Sequence, residues 1–171
     1  MLGIFLASCG AQEGERQAVS PPVSGVEPVV SADGNQIVGQ TIYVPIYSHI
    51  YTGNKNRTIN LAATLSIRNT DAQHSIQLAS ARYYGSNGQL LKEYVPRALR
   101  LAPMASTDFV VEEYDTSGGA GANFIVEWTA SMEVTAPVVE AVMISTASQQ
   151  GISFVSAGRV LKDRSASDRA K

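Results

Sequence analysis

From Thr41 onward the chain alternates apolar and polar side chains with a period of two, and few architectures satisfy that pattern over so long a run. The clearest stretch sets Ile59, Leu61, Ala63, Leu65 and Ile67 against Asn60, Ala62, Thr64, Ser66 and Arg68. Upstream, Ile42, Val44, Ile46, Ser48 and Ile50 alternate with Tyr43, Pro45, Tyr47, His49 and Tyr51. Successive side chains of a strand point to opposite faces, so each stretch reads as a strand with one buried face. Pro45 lacks an amide donor, which predicts an edge position or a bulge. Further strands are expected near residues 76–84, 90–95, 107–114, 123–130, 138–146 and 153–161, with Phe124, Val126 and Trp128 on one face. Turn residues separate them, including Ser86-Asn87-Gly88, where Asn-Gly predicts a tight type I′ hairpin. No helical period persists over three turns. About eight antiparallel strands predict an all-β, two-sheet sandwich of immunoglobulin-like class, with a closed barrel as the alternative.

Composition narrows function by exclusion. Formal net charge is −2, and the thirteen basic residues are scattered without a run or stripe. Nucleic-acid binding is therefore not expected. No apolar run approaches the roughly 18 residues needed to span a bilayer. The single cysteine excludes an internal disulfide and multi-cysteine metal sites.

The position of that cysteine carries more weight than the count. Leu6-Ala7-Ser8-Cys9-Gly10 resembles a lipobox, in which small residues enter a peptidase cleft and the thiol takes up lipid. Three acyl chains on Cys9 would exceed the two membrane signals that stable anchoring requires. The apolar stretch Met1–Ala7 lacks a basic n-region and is shorter than a usual signal, so residues 1–9 are read as a truncated lipoprotein signal peptide. The competing reading is an ordinary apolar N-terminus. Residues 10–38, with Ser20-Pro21-Pro22, Glu27-Pro28 and Asp33-Gly34-Asn35, read as a polar tether. The domain is expected over 39–163 and a polar tail over 164–171.

Catalytic and cofactor motifs are weak. Gly118-Gly119-Ala120-Gly121-Ala122 precedes a strand-like segment, whereas phosphate loops require a helix there. Glu112 and Glu113 are adjacent in a strand and face opposite ways, so they make no acid pair; Glu127 and Glu140, on later strands, are the pair left to meet. His49 and His74 show no ligand spacing, and Met104, Met132 and Met143 form no histidine–methionine cluster. No metal and no cofactor are expected. Asn56-Arg57-Thr58 fits a glycosylation sequon and is read as a turn. One feature points to recognition: Tyr43, Tyr47, His49 and Tyr51 fall on the outward positions of one strand, and tyrosines are enriched in binding patches. The competing reading covers this face with the leader or a loop.

Four segments carry a family resemblance. They are Gly39–Tyr51 (GQTIYVPIYSHIY), Leu65–Asp71 (LSIRNTD), Asp115–Phe124 (DTSGGAGANF) and Ala147–Phe154 (ASQQGISF). With them the chain resembles an uncharacterised bacterial family, domain of unknown function 3124, over roughly Gly39 to Leu161. The resemblance implies a secreted or lipid-anchored protein, and it implies no activity and no site residue. The resulting expectation is a non-enzymatic envelope lipoprotein, periplasm-facing and held to the membrane through its lipid anchor, that binds a protein or cell-wall glycan. Gly10 after the cysteine points to the outer membrane if the host is Gram-negative, by resemblance to such lipoproteins. The alternatives are a hydrolase with an acidic site built by the loops Asp115–Asn123 and Ala147–Gly151, and a structural spacer.

Overall fold

The computed structural model describes residues 25–29, 36–146 and 151–164, and these residues form thirteen strands and no helix. Accordingly, no helix among them is long and apolar enough to cross a membrane. In chain order the strands are β1 (Val26–Pro28), β2 (Val38–Pro45), β3 (His49–Thr52), β4 (Asn54–Asn60), β5 (Ala62–Arg68), β6 (Ile76–Tyr84), β7 (Leu90–Glu93), β8 (Leu99–Leu101), β9 (Ser106–Val111), β10 (Asn123–Ala130), β11 (Val138–Ser145), β12 (Ile152–Ala157) and β13 (Arg159–Arg164). All pairings are antiparallel. A larger sheet runs β1-β8-β6-β10-β2-β13, with β7 also on β6; a smaller one runs β12-β11-β5-β9; β3 and β4 form a separate hairpin.

The period of two does the work expected of it. Leu61, Ala63, Leu65 and Ile67 are fully buried, as are Phe124 and Val126, with Trp128 nearly so. Residues from both sheets, among them Ile42, Val44, Leu78 and Phe124 from the larger and Leu65, Ala141 and Met143 from the smaller, belong to one buried cluster. Complete burial of a side chain such as Leu65 contributes on the order of 1.5–3 kcal/mol.

Several boundaries differ from the expectation. The stretch Ile42–Ile50 is two strands, because β2 ends at Pro45 and the chain turns through Ile46–Ser48. Strand β2 is interior, between β10 and β13; Pro45 is tolerated there as its last residue. The second stretch divides at Leu61, whose amide donates to the Ser48 carbonyl at 3.0 Å, and the expected turn at residues 52–56 is mostly strand. The last expected strand divides at Gly158, where the chain leaves β11 for β2 and so passes from one sheet to the other. A Cβ at Gly158 would lie 2.7 Å from both Ile42 Cγ2 and the Val139 carbonyl oxygen. At the Ser86–Gly88 turn only Gly88 has positive φ, at 78°, while a type I′ turn needs two such residues. The Gly88 amide donates to the Gly85 carbonyl and the Gly85 amide to that of Gln89, which is a type I turn closed by a glycine bulge. Strand β1 lies inside the stretch read as tether and pairs with β8.

Candidate aromatic hairpin

The hairpin β3–β4 leaves the body at Ser48 and returns at Leu61. Ser48 is fully buried; its hydroxyl donates to the Gly119 carbonyl at 2.9 Å and its amide to the same oxygen at 3.1 Å. The glycine-rich loop after β9 is therefore a clasp on the stem of the hairpin. Its other side is held by Ser86, whose amide and hydroxyl both donate to the Gly118 carbonyl at 2.8 Å and whose oxygen accepts from the Gly121 amide at 2.8 Å. Gly118 is required by space: a Cβ there would sit 1.9 Å from Tyr83 Oη and 2.8 Å from Ala122 Cβ. The loop leads into β10 and spends its polar groups on these internal bonds. The sequence signalled a loop here but gave no sign of Ser48 and Ser86 as its partners.

Register sorts the hairpin into two faces. Ile50 lies opposite Ile59, and both are half-buried against the core. His49 opposite Asn60 and Tyr51 opposite Thr58 occupy the other face. His49 and Tyr51 meet edge to face, with ring centroids 5.4 Å apart at 84°. Tyr51 is 57% exposed, an unusual condition for a ring of that size. Tyr47, before the hairpin, is 36% exposed and stands edge to face with Phe154 of β12 at 5.9 Å. The two ring pairs come from one chain segment of five residues plus a strand that the sequence did not associate with it.

Tyr43 is placed elsewhere. It lies in β2 between Ile125 and Arg159, half-buried on the face of the larger sheet opposite the core. The break of β2 at Pro45 separates it from the other three: His49 and Tyr51 meet on the hairpin, Tyr47 precedes it against Phe154, and Tyr43 is on the sheet. Cys9 lies outside the described residues, as does the loop at 147–150.

Two carboxylates, Glu127 and Glu93, share one guanidinium, and Glu113, Asp115 and Glu140 are engaged apart from them. Glu127 accepts from Arg82 Nη2 at 2.6 Å and Ser80 Oγ at 2.9 Å, with Glu93 3.7 Å from the same guanidinium. Glu140 pairs with Arg68, Glu113 accepts from Ser145, and Asp115 accepts from Ser117. Glu127 and Glu140 do not meet: each is on the outward face of a different sheet, and the core cluster occupies the inward faces. His74 is paired with Asp71, its Nδ1 3.2 Å from Oδ1. The Asp71 carboxylate also accepts from the amides of Thr135, Gln73 and His74 at 3.0, 2.9 and 2.8 Å, and these donors lower its pKa to about 2. The Asn69 side-chain amide donates to the carbonyls of His74 and Ala102 at 2.8 and 2.9 Å. This polar knot ties the end of β5 to the loops around it and has the character of structural support. Among the described residues no three His, Cys, Asp or Glu side chains gather as a metal site.

No curated protein and no solved structure matches the chain. Residues 39–161 match the family model described as protein of unknown function (DUF3124), and the chain belongs to that family.

Proposed function

We propose that the chain is a non-enzymatic cell-envelope lipoprotein, acylated at Cys9, in which the two sheets stack as an immunoglobulin-like sandwich and the β3–β4 hairpin binds a protein or cell-wall glycan. The observation that carries the reading is the division of the hairpin. Its isoleucine face packs on the core and fixes its position, which leaves Tyr51 exposed and His49 half-buried on the other face. Rigid aromatic rings that bury large area with little loss of side-chain freedom are efficient binding groups. Orientation adds support. The leader enters at the Val38 end of β2 and the hairpin follows the Pro45 end, so eight residues of strand, roughly 25 Å, separate the anchored end from the aromatic one.

The alternative of an acidic hydrolase draws no support from Glu113, Asp115, Glu127 and Glu140, which are bound to a hydroxyl or a cation and form no pair with one another. The experiment is co-sedimentation of the soluble domain with purified cell-wall sacculi and affinity capture from native envelopes, for the wild-type protein and Tyr47→Ser/Tyr51→Ser. Binding lost in the variant with unchanged melting is the expected result. Equal binding by both proteins overturns the hairpin assignment, and an unacylated Cys9 on mass spectrometry of the native protein overturns the anchor.

A further inference from the structure

The end of the larger sheet opposite the hairpin holds a cavity of about 500 Å³ bordered by β1, β6, β8 and the ends of the flanking loops. Its polar floor follows from register. Glu27 of β1, Arg100 of β8 and Gln77 of β6 lie side by side across three strands, on the face turned away from the core. Glu27 and Arg100 are cross-strand neighbours, yet among the described residues neither makes an ion pair within 4 Å. Ser75 and Ser131 also line the cavity, as do Pro28 and Met132, which supply apolar surface, Met132 being 44% exposed.

These groups define a ligand class. Among the described residues the lining carries one carboxylate and one guanidinium and is balanced, which selects against a ligand of large net charge. Opposite charges on neighbouring strands suit a ligand that carries both an ammonium and a carboxylate. A guanidinium binds a carboxylate through two parallel hydrogen bonds, and Glu27 accepts from an ammonium. The Gln77 amide offers both a donor and an acceptor to a peptide group. Among the described residues the lining has no aromatic ring on which a sugar could stack, apart from the His74 imidazole. We propose that this cavity binds a zwitterionic amino acid or short peptide with free termini, through Arg100 and Glu27.

The test titrates the soluble domain with the dipeptide Ala-Ala, its N-acetyl form, its C-terminal amide and N-acetylglucosamine, followed by calorimetry and by amide NMR shifts. Ala-Ala is expected to bind and to shift the amides of Ser75, Gln77 and Ser131. Capping either terminus weakens binding about tenfold, as does Arg100→Gln or Glu27→Gln, the loss expected for one charge-assisted bond. Arg100→Gln abolishes the penalty of C-terminal amidation and Glu27→Gln that of acetylation, a signature that general destabilisation does not produce. Absence of binding at about 10 mM, equal binding of the two capped peptides and free Ala-Ala, or preference for the sugar overturns the proposal. Tyr51→Ser leaves these titrations unchanged, so this result stands or falls apart from the hairpin reading.

Discussion

Replacing Gly118 by alanine tests whether the glycine-rich loop is a clasp or a ligand loop. Gly118 does not have positive φ, so the effect of a methyl group is steric and not conformational. The added Cβ would lie 1.9 Å from Tyr83 Oη, 2.7 Å from Tyr83 Cζ and 2.8 Å from Ala122 Cβ. None of these is the loose end of a flexible side chain. Tyr83 is 1% exposed and its ring lies 5.4 Å from that of Phe124, so it has nowhere to retreat. Overpacking of this kind costs about 1–3 kcal/mol, and contacts this short point to the upper end. At about 3 kcal/mol the melting temperature of a chain this size falls by roughly 6–12 °C, read by calorimetry or circular dichroism. Tyr83→Phe in the same background removes the nearest obstacle and should restore part of the loss. An alanine variant that melts with the wild type would show that the loop is loosely held and would refute the clasp.

Other parts of the fold give sharper or milder responses. Leu65→Ala, at a fully buried position, should destabilise by about 3 kcal/mol, measured by urea denaturation, and a loss well under 1 kcal/mol would contradict a single packed core. Ser48→Ala removes one of two donors to the Gly119 carbonyl; the expected loss is about 1 kcal/mol, together with faster hydrogen exchange at the Leu61 amide. Asp71 has a folded-state pKa depressed to about 2, so its contribution is complete above its unfolded pKa near 4 and disappears as pH falls through 2. Asp71→Asn should therefore lower the melting temperature at neutral pH and flatten its dependence between about pH 4 and 2, and an unchanged acid slope would show that another carboxylate is responsible.

What the sequence disclosed was the inside and outside of each strand, and what it withheld was pairing. Leu61, Ala63, Leu65 and Ile67 are buried as their spacing demands. The same spacing continues through Ile46 and Ser48, both buried, although the chain has left the larger sheet by then. Alternation does not register a change of sheet, because each sheet imposes the same period. For that reason Gly158 carries no local sign of a corner, and Tyr43 falls in the same alternation as Tyr47. Strands β1 and β8 have three residues each, too few for a period to emerge. The glycine clasp depends on Ser48 and Ser86, which are 71 and 32 residues from their loop partners, and no local signal spans such separations.

The position of β2 bears on what an anchored binding module has to withstand. In the proposed arrangement a pull from the leader meets the three-residue pairing of β1 with β8 first; once that gives way it acts on one end of β2, while a bound partner pulls on the hairpin at the other. The load then runs along the strand and not across it. On one edge β2 is paired with β10 along its whole length, from Val38 opposite Ala130 to Pro45 opposite Asn123. Its other edge is held by β13, from Gly39 opposite Arg164 to Tyr43 opposite Arg159. Pulling along the axis shears both ladders together, whereas pulling across it would open the bonds one at a time. Ile42 and Val44 are seated in the core, so sliding β2 by one residue would bring Tyr43 inward and drive both of them out. An interior strand with an anchor at one end and an aromatic hairpin at the other resists that displacement through backbone pairing and side-chain burial at once, which an edge strand paired on one side would not.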